Sequence, residues 1–343
     1  AAALAEAGYD VCSTSGNHAA DRGWGGIVDT LDVLDAHGIA HDGTARTEEE
    51  RLPSFHRVNG VRVAHMSYTY GLNGLPNPEP WAANIIDEEQ IRADAAWARE
   101  DGAEFVILSL HWGAEQHVPP TPEQERLARS LLEDSDVDLI LGTHAHVIQP
   151  IDRIGDKVVV YGMGNSLSNQ FTRWGLPYYY ATDDGVIVHL TVTEVDGRFL
   201  VTDTSFTPTT VEWATYRVMP SDHSLAIGDG AYPGDLAASR ARTVERILML
   251  GVADVTVTDA AWPAASCGGR PATIVGTDGD DVLVGTDGPD VIAGRGGRDI
   301  IWGRGGDDIL CGGPGMDVLL GGPGADTIDP DATAPVVRPY LPL

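Results

Sequence analysis

Between Gly276 and Asp329 the chain divides without a slip into six consecutive nonapeptides: GTDGDDVLV, GTDGPDVIA, GRGGRDIIW, GRGGDDILC, GGPGMDVLL and GGPGADTID. Positions one and four are always Gly, position six is always Asp, and position eight is always Leu or Ile. No other feature limits the fold so strongly, because a fixed period means that each unit buries its apolar residue only by stacking on its neighbours. Glycine lets the backbone turn tightly, the Asp follows the turn, and the apolar run around position eight supplies a short strand with one side chain directed into a thin core. Each repeat therefore reads as half a coil of a parallel β-roll, with Leu283, Ile292, Ile301, Leu310, Leu319 and Ile328 inside. A flexible Gly/Asp-rich linker has no reason to keep Leu or Ile at every ninth residue.

This segment resembles the calcium-binding repeat of RTX proteins. The resemblance implies calcium held by Asp281, Asp290, Asp299, Asp308, Asp317 and Asp326. If repeats one full coil apart share an ion, six repeats offer at most four complete sites. Thr or Arg at position two of the first four repeats, and Pro314 and Pro323 at position three of the last two, depart from the pattern and imply unequal sites. The segment holds 11 Asp against 3 Arg, so it is expected to fold only when cations offset carboxylate repulsion. Over the whole chain, 22 Lys and Arg face 51 Asp and Glu, a net charge of −29 that repels phosphate backbones and excludes nucleic acid as a natural partner. No apolar run approaches the roughly 20 residues of a membrane-spanning helix.

At 343 residues the chain is long enough for about two domains at roughly 150 residues each. Upstream of the repeats, Val11 to Ser13, Val61 to Ser67, Phe105 to Leu110, Leu139 to Leu141 and Val158 to Tyr161 read as buried strands. Helices alternate with them: Ile27, Leu31 and Leu34 share a face, Asp87 to Asp101 ends at Gly102, and Thr121-Pro122-Glu123-Gln124 is a capping box. This alternation predicts an α/β domain over 1–262, a linker over 263–275, the roll over 276–329 and a tail over 330–343. From about Val211 the pattern weakens, apart from a helix near Leu236 to Leu250. Cys311 ends the fourth repeat and Cys267 lies in the Gly/Pro-rich approach, so a bridge between them is expected to staple the linker onto the roll, with Cys12 left as a thiol.

Three strands run directly into polar, metal-capable clusters: SGNHAAD, HWGAEQ and GTHAH. Ligands of α/β sheets bind beyond the carboxyl ends of strands, and His144 and His146 present two imidazoles from one turn. The stretches GNHAADRG, DTLDVLDAHGIAHDG, FVILSLHWGAEQ, DLILGTHAHVIQP and VVVYGMGN resemble the CapA family, the poly-γ-glutamate capsule synthesis proteins, which share the fold of calcineurin-like metallophosphoesterases. The resemblance runs through about Phe171 and implies a calcineurin-like α/β sandwich. It further implies Asn17, His111, His144 and His146 as ligands of Mn, Fe or Zn, with His18 as general acid. Asp21 would fix the His18 tautomer and Glu115 that of a ligand imidazole. Asn165 reads as a turn residue beside the pocket, and His37, His41, His56, His65, His117, His189 and His223 as structural or surface residues. Ala19 replaces the acid that ordinary calcineurin-like enzymes place after GNH, which turns the expectation away from simple phosphomonoesters.

The expected function is a metal-dependent hydrolase or transferase-like domain of CapA type acting in the synthesis or hydrolysis of an extracellular anionic polymer such as poly-γ-glutamate, at the bacterial surface or secreted, with hydroxide attacking an amide or ester carbonyl. A non-catalytic role in polymer assembly or export and a phosphoesterase activity are the alternatives. Two-metal sites of the resembled superfamily also take carboxylates from the first two strands. Only 15 residues precede Gly16, and Glu6 and Asp10 among them are poorly placed, so the sequence reads as an N-terminally truncated domain with weak metal binding.

Overall fold

The structure, a computed structural model, describes residues 1–167, 181–212, 216–227, 233–258, 266–268, 270–276 and 279–328. It separates into two compact units, one of residues 1–225 and 232–258 and one of residues 226–231 and 259–343. The expected tail lies outside the described residues, as do 263–265 and 269 of the expected linker.

In the first unit, helix α1 (Ala2–Glu6) leads to β1 (Val11–Ser13), α2 (Gly23–Asp35) and β2 (Ala40–Asp42). Strands β1 and β2 pair in parallel, and Ile27, Leu31 and Leu34 of α2 bury with Ile39 and Ala82. The main sheet follows from β3 (Ser54–Val58), β4 (Val61–Thr69), β5 (Phe105–His111), β6 (Leu139–Thr143), β7 (Ile151–Ile154) and β8 (Lys157–Val160), in the order β3-β4-β5-β6-β8-β7. Its four inner strands are parallel and its edges antiparallel, which suits the near-continuous apolar runs of β5 and β8.

Helices α3 (Glu88–Glu100) and α4 (Pro122–Asp134) supply the crossovers. The Asp87 side chain caps the Gln90 N–H of α3, and Thr121 with Gln124 forms the capping box of α4. Both helices pack on one face of the sheet, where Met66, Tyr68, Ile91, Leu108, Leu127, Leu131 and Ile140 form the largest core. On the other face Phe105, Leu139, Val158 and Val160 meet Val186, Val201 and Phe206. Those last three belong to a long antiparallel hairpin, β9 (Asp184–Val195) with β10 (Arg198–Glu212), which the sequence reading overlooked. The hairpin carries β11 (Arg217–Pro220) and β12 (Val255–Val257) at its sides, and α5 (Ser221–Ile227) and α6 (Pro233–Ile247) follow β11. The first unit is thus an α/β sandwich: helices, parallel sheet, second sheet.

The second unit is a parallel β-roll. A short hairpin, β13 (Ser266–Cys267) with β14 (Arg270–Pro271), precedes β15 (Ile274–Val275), β16 (Val282–Val284), β17 (Val291–Ala293), β18 (Ile300–Trp302), β19 (Ile309–Cys311), β20 (Val318–Leu320) and β21 (Thr327–Ile328). Odd strands β15-β17-β19-β21 form one sheet and even strands β16-β18-β20 the other, each pairing 18 residues apart as in Ile292 with Leu310. Two repeats therefore make one coil. Ile292, Ile301, Leu310 and Leu319 are at most 2% exposed between the sheets, joined by Leu283 and Ile328. Cys267 is bonded to Cys311, which ties β13 to β19, and Cys12 is a free thiol.

Candidate metal centre

All three polar clusters gather beyond the carboxyl ends of β1, β5 and β6. Asn17 is buried, and its Oδ1 stands 3.0 Å from His111 Nε2. The His111 ring lies 4.7 Å from that of His144, which lies 6.2 Å from that of His146, measured between centroids. Tight backbone contact holds the GTHAH turn in place. A Cβ on Gly142 would come within 1.9 Å of the Tyr161 carbonyl oxygen, and Trp112 Nε1 donates to that oxygen at 3.0 Å. His144 and His146 take φ of 94° and 57°, a left-handed backbone that side-chain-bearing residues seldom adopt.

Each imidazole is prepared differently. His111 Nδ1 faces Thr143 Oγ1 at 3.0 Å, and burial lowers its pKa to about 4, helped by the neighbouring imidazoles of His144, His146 and His18. Burial also lowers the pKa of His144, against the pull of Glu115. Both rings are accordingly neutral near pH 7, the form that donates a lone pair. His144 Nδ1 is buried with no hydrogen-bond partner. His146 Nδ1 faces Asn165 Oδ1 at 2.9 Å, while Asn165 Nδ2 donates to the Thr182 carbonyl at 2.7 Å. That commitment of the amide N–H makes its oxygen the acceptor, so His146 carries its proton on Nδ1 and keeps Nε2 as the donor atom.

His18 is mostly exposed, and its Nδ1 sits 2.8 Å from Asp21 Oδ2, the pairing expected of those two residues. Glu115 is exposed and acts on His144 through its field; no hydrogen bond joins it to an imidazole among the described residues. Tyr70 and Asn73, in the loop after β4, were missed by sequence reasoning. The Tyr70 ring packs 4.5 Å from that of His144 and 6.2 Å from that of His111, and Asn17 Nδ2 donates to Tyr70 Oη at 3.3 Å and to Asn73 Oδ1 at 3.2 Å. Nothing in YGLN carries the His or carboxylate signature of a metal site; the available signal was that β4 neighbours β5, which puts the loops after both strands at the same sheet edge.

These donors are compatible with a transition ion. Two ligands about 2.1 Å from one ion stand about 3 Å apart when cis, which is the separation of Asn17 Oδ1 and His111 Nε2. The unpartnered nitrogen of His144 is a further donor. All are neutral, and among the described residues no group of three or more His, Cys, Asp or Glu converges on one ion position.

In the roll the position-six carboxylates stack at one-coil spacing. Asp299 Oδ1 accepts the Asp281 N–H, Asp308 that of Asp290, Asp317 that of Asp299 and Asp326 that of Asp308, at 2.8 to 3.1 Å. The first glycine of each repeat leaves room for the Asp of that repeat: a Cβ on Gly294 or Gly303 would lie 2.3 or 2.2 Å from the carboxylate of Asp299 or Asp308. The Oδ2 atoms of Asp299 and Asp308 are buried without a hydrogen-bond partner, and burial with repulsion from neighbouring Asp residues raises both pKa values. Orphaned carboxylate oxygens in a stack of like charge fit a hard dication.

Residues 1–170 match the family described as bacterial capsule synthesis protein PGA_cap, and residues 275–310 and 312–331 match the RTX calcium-binding nonapeptide repeat. The chain is 28% identical over 196 residues to the capsule biosynthesis protein CapA of Bacillus anthracis, covering 54% of this chain and 47% of that protein. It is 28% identical over 170 residues to the PGA biosynthesis protein CapA of Bacillus subtilis (strain 168), covering 49% and 44%. The chain thus spans less than half the length of either relative. Among solved structures it is similar to the calcineurin-like phosphoesterase YfkN from Bacillus subtilis, with a TM-score of 0.40 and 15% identity over 73% of each chain. It is also similar to a 5'-nucleotidase precursor from Thermus thermophilus, with a TM-score of 0.39 and 18% identity over 60% of this chain and 39% of that one.

Proposed function

From the premise that the chain belongs, through residues 1–170, to the CapA family and carries RTX calcium-binding repeats behind that domain, we propose that it acts on poly-γ-glutamate outside the cell at a transition-metal centre built on Asn17, His111, His144 and His146. The observation that supports this reading is the 3.0 Å approach of Asn17 Oδ1 to His111 Nε2, with the His144 ring 4.7 Å from that of His111 and its Nδ1 buried without a partner. A bound ion there would supply Lewis-acid polarisation of a γ-glutamyl carbonyl and a nucleophilic water near neutral pH. The chain's own residues do the rest. Asn17 and the imidazoles bind as neutral donors, and Asn165 holds the proton of His146 on Nδ1. His18, exposed and oriented by Asp21, delivers a proton to the departing amine. The metal is Mn, Fe or Zn, since imidazole and amide oxygen suit borderline ions. Extracellular placement is supported by the RTX repeats, and among the described residues no helix is long and apolar enough to cross a membrane.

The all-neutral donor set favours a second reading, in which the domain assists polymer assembly or export without cleaving it. Size-exclusion chromatography of poly-γ-glutamate after incubation with the metal-supplemented 343-residue chain separates the two. Shortening of the polymer that disappears in His144→Ala supports hydrolysis, and an unchanged length distribution supports the assisting role. Turnover of an aryl phosphate instead would show a phosphoesterase.

A further inference from the structure

We propose that Asn73 is a positioning residue that turns the amide oxygen of Asn17 toward His111 and the ion position, an inference resting in part on the metal-centre reading. Three side chains form a triangle. Asn73 Oδ1 accepts from Asn17 Nδ2 at 3.2 Å and from Tyr70 Oη at 3.2 Å, while Tyr70 Oη accepts from Asn17 Nδ2 at 3.3 Å. Asn73 Oδ1 is the one atom of the three that only accepts. It draws the Tyr70 hydroxyl proton to itself, which leaves the tyrosine lone pairs for the second N–H of Asn17. With both amide hydrogens committed, Asn17 Oδ1 faces His111 Nε2 at 3.0 Å. Rotation of the Asn17 amide would set its oxygen against Asn73 Oδ1, acceptor to acceptor, and would offer N–H where the ion needs a lone pair.

The loop is fastened for this task. The Tyr70 N–H donates to the His111 carbonyl at 3.0 Å, and Leu72, 5% exposed, packs on Ala20 and Ala83. Asn77 Nδ2 closes the far side on the Ala83 carbonyl at 2.9 Å. Asn73 itself takes φ of 52°, where Asn is tolerated better than most residues. The same triangle fixes a proton elsewhere: because Asn17 Oδ1 accepts, His111 is protonated on Nε2 in the metal-free protein and accepts from the Thr143 hydroxyl on Nδ1.

The test uses the full 343-residue chain with Asn73→Gly, which keeps the left-handed backbone and removes the acceptor, and Asn73→Asp, which keeps both. Long-range ¹H–¹⁵N spectra of histidine-labelled protein, assigned with His111→Gln, read the tautomer without metal. The parent and Asn73→Asp are expected to carry the His111 proton on Nε2, and Asn73→Gly to shift it to Nδ1 as the Asn17 amide turns over. An unmoved proton in a folded Asn73→Gly protein overturns the proposal. In parallel, titration with Zn²⁺ is expected to give about tenfold weaker binding in Asn73→Gly and no loss in Asn73→Asp. A tautomer shift with equal zinc affinity in all three would leave the amide orientation standing and remove the metal centre of the proposed function.

Discussion

The two units present their candidate donor atoms in opposite ways. In the sandwich, the candidate donors Asn17, His111 and His144 come from segments far apart in sequence, a turn, the end of β5 and the turn after β6, and their surroundings are held by contacts made once: Gly142 under Tyr161, Leu72 on Ala20, Asn165 on His146. In the roll one Asp recurs every nine residues, and the same Gly, the same N–H and the same buried Leu or Ile support it each time. The first arrangement is long-range and has no spare parts. The second is nearest-neighbour and redundant, but it stacks like charges, whose repulsion a cation would relieve.

The strongest way to break the comparison is to withdraw calcium. Chelation is expected to abolish hydrogen-exchange protection throughout residues 279–328 while leaving β4, β5 and β6 protected; a roll that stays protected in chelator would show its thin core to suffice. Next in size is the bridge. Removing it with Cys267→Ser and Cys311→Ser frees a loop with a sequence separation of 44, worth about 4 kcal/mol on the chain-entropy account, and is expected to raise the calcium needed for half-folding of the roll alone.

Acid sharpens the contrast because the two units respond with opposite sign. His65 and His111 have pKa values lowered to about 4 by burial, against an unfolded value of about 6.5. The native sandwich binds fewer protons than the unfolded chain between those limits. Its stability is therefore full above the unfolded value and is lost as pH falls through the window, on the order of 3 kcal/mol for each histidine. Asp299 and Asp308 have raised pKa values, so the calcium-free roll holds more protons than its unfolded form and loses stability as pH rises past the ordinary carboxylate range. In chelator, lowering the pH from 7 to 4 should lower the urea midpoint of the sandwich while returning hydrogen-exchange protection to residues 279–328, and loss of both together would contradict the assignment. The smallest expected effect is Asp326→Asn, which belongs to a single pair of stacked carboxylates and should remove one calcium by equilibrium dialysis while the remaining coils stay folded. His144→Ala, by contrast, should remove all transition-metal binding.

Much of this was legible because it was periodic. The nonapeptides fixed strand register before any coordinates, and the pairing of Ile292 with Leu310 follows the arithmetic of two repeats per coil. Strand β5 announced itself by an apolar run ending in His111. The β9–β10 hairpin went unread although Val186, Val188, Leu190 and Val192 alternate and Asp196-Gly197, with φ of 50° and 79°, is a two-residue turn of the hairpin type. Its alternation sits beside a Thr-rich stretch of low hydrophobicity, and half of it faces solvent. At the site, residue types with metal affinity were visible, as was the Asp21 that orients His18, whereas the Tyr70 and Asn73 that orient Asn17 were not. Tyr70, Asn73 and Asn165 are ordinary loop residues until the sheet order sets them beside His111 and His146.

His144 and His146 occupy backbone that glycine would hold with less strain. Only Gly, and to a smaller degree Asn or Asp, would ease the chain there, so His144→Gly and His146→Gly are the substitutions that would exchange both imidazoles for a less strained turn. Two side-chain-bearing residues on such a turn cost backbone strain, which the packing of Gly142 under Tyr161 and the hydrogen bond of Asn165 to His146 have to offset.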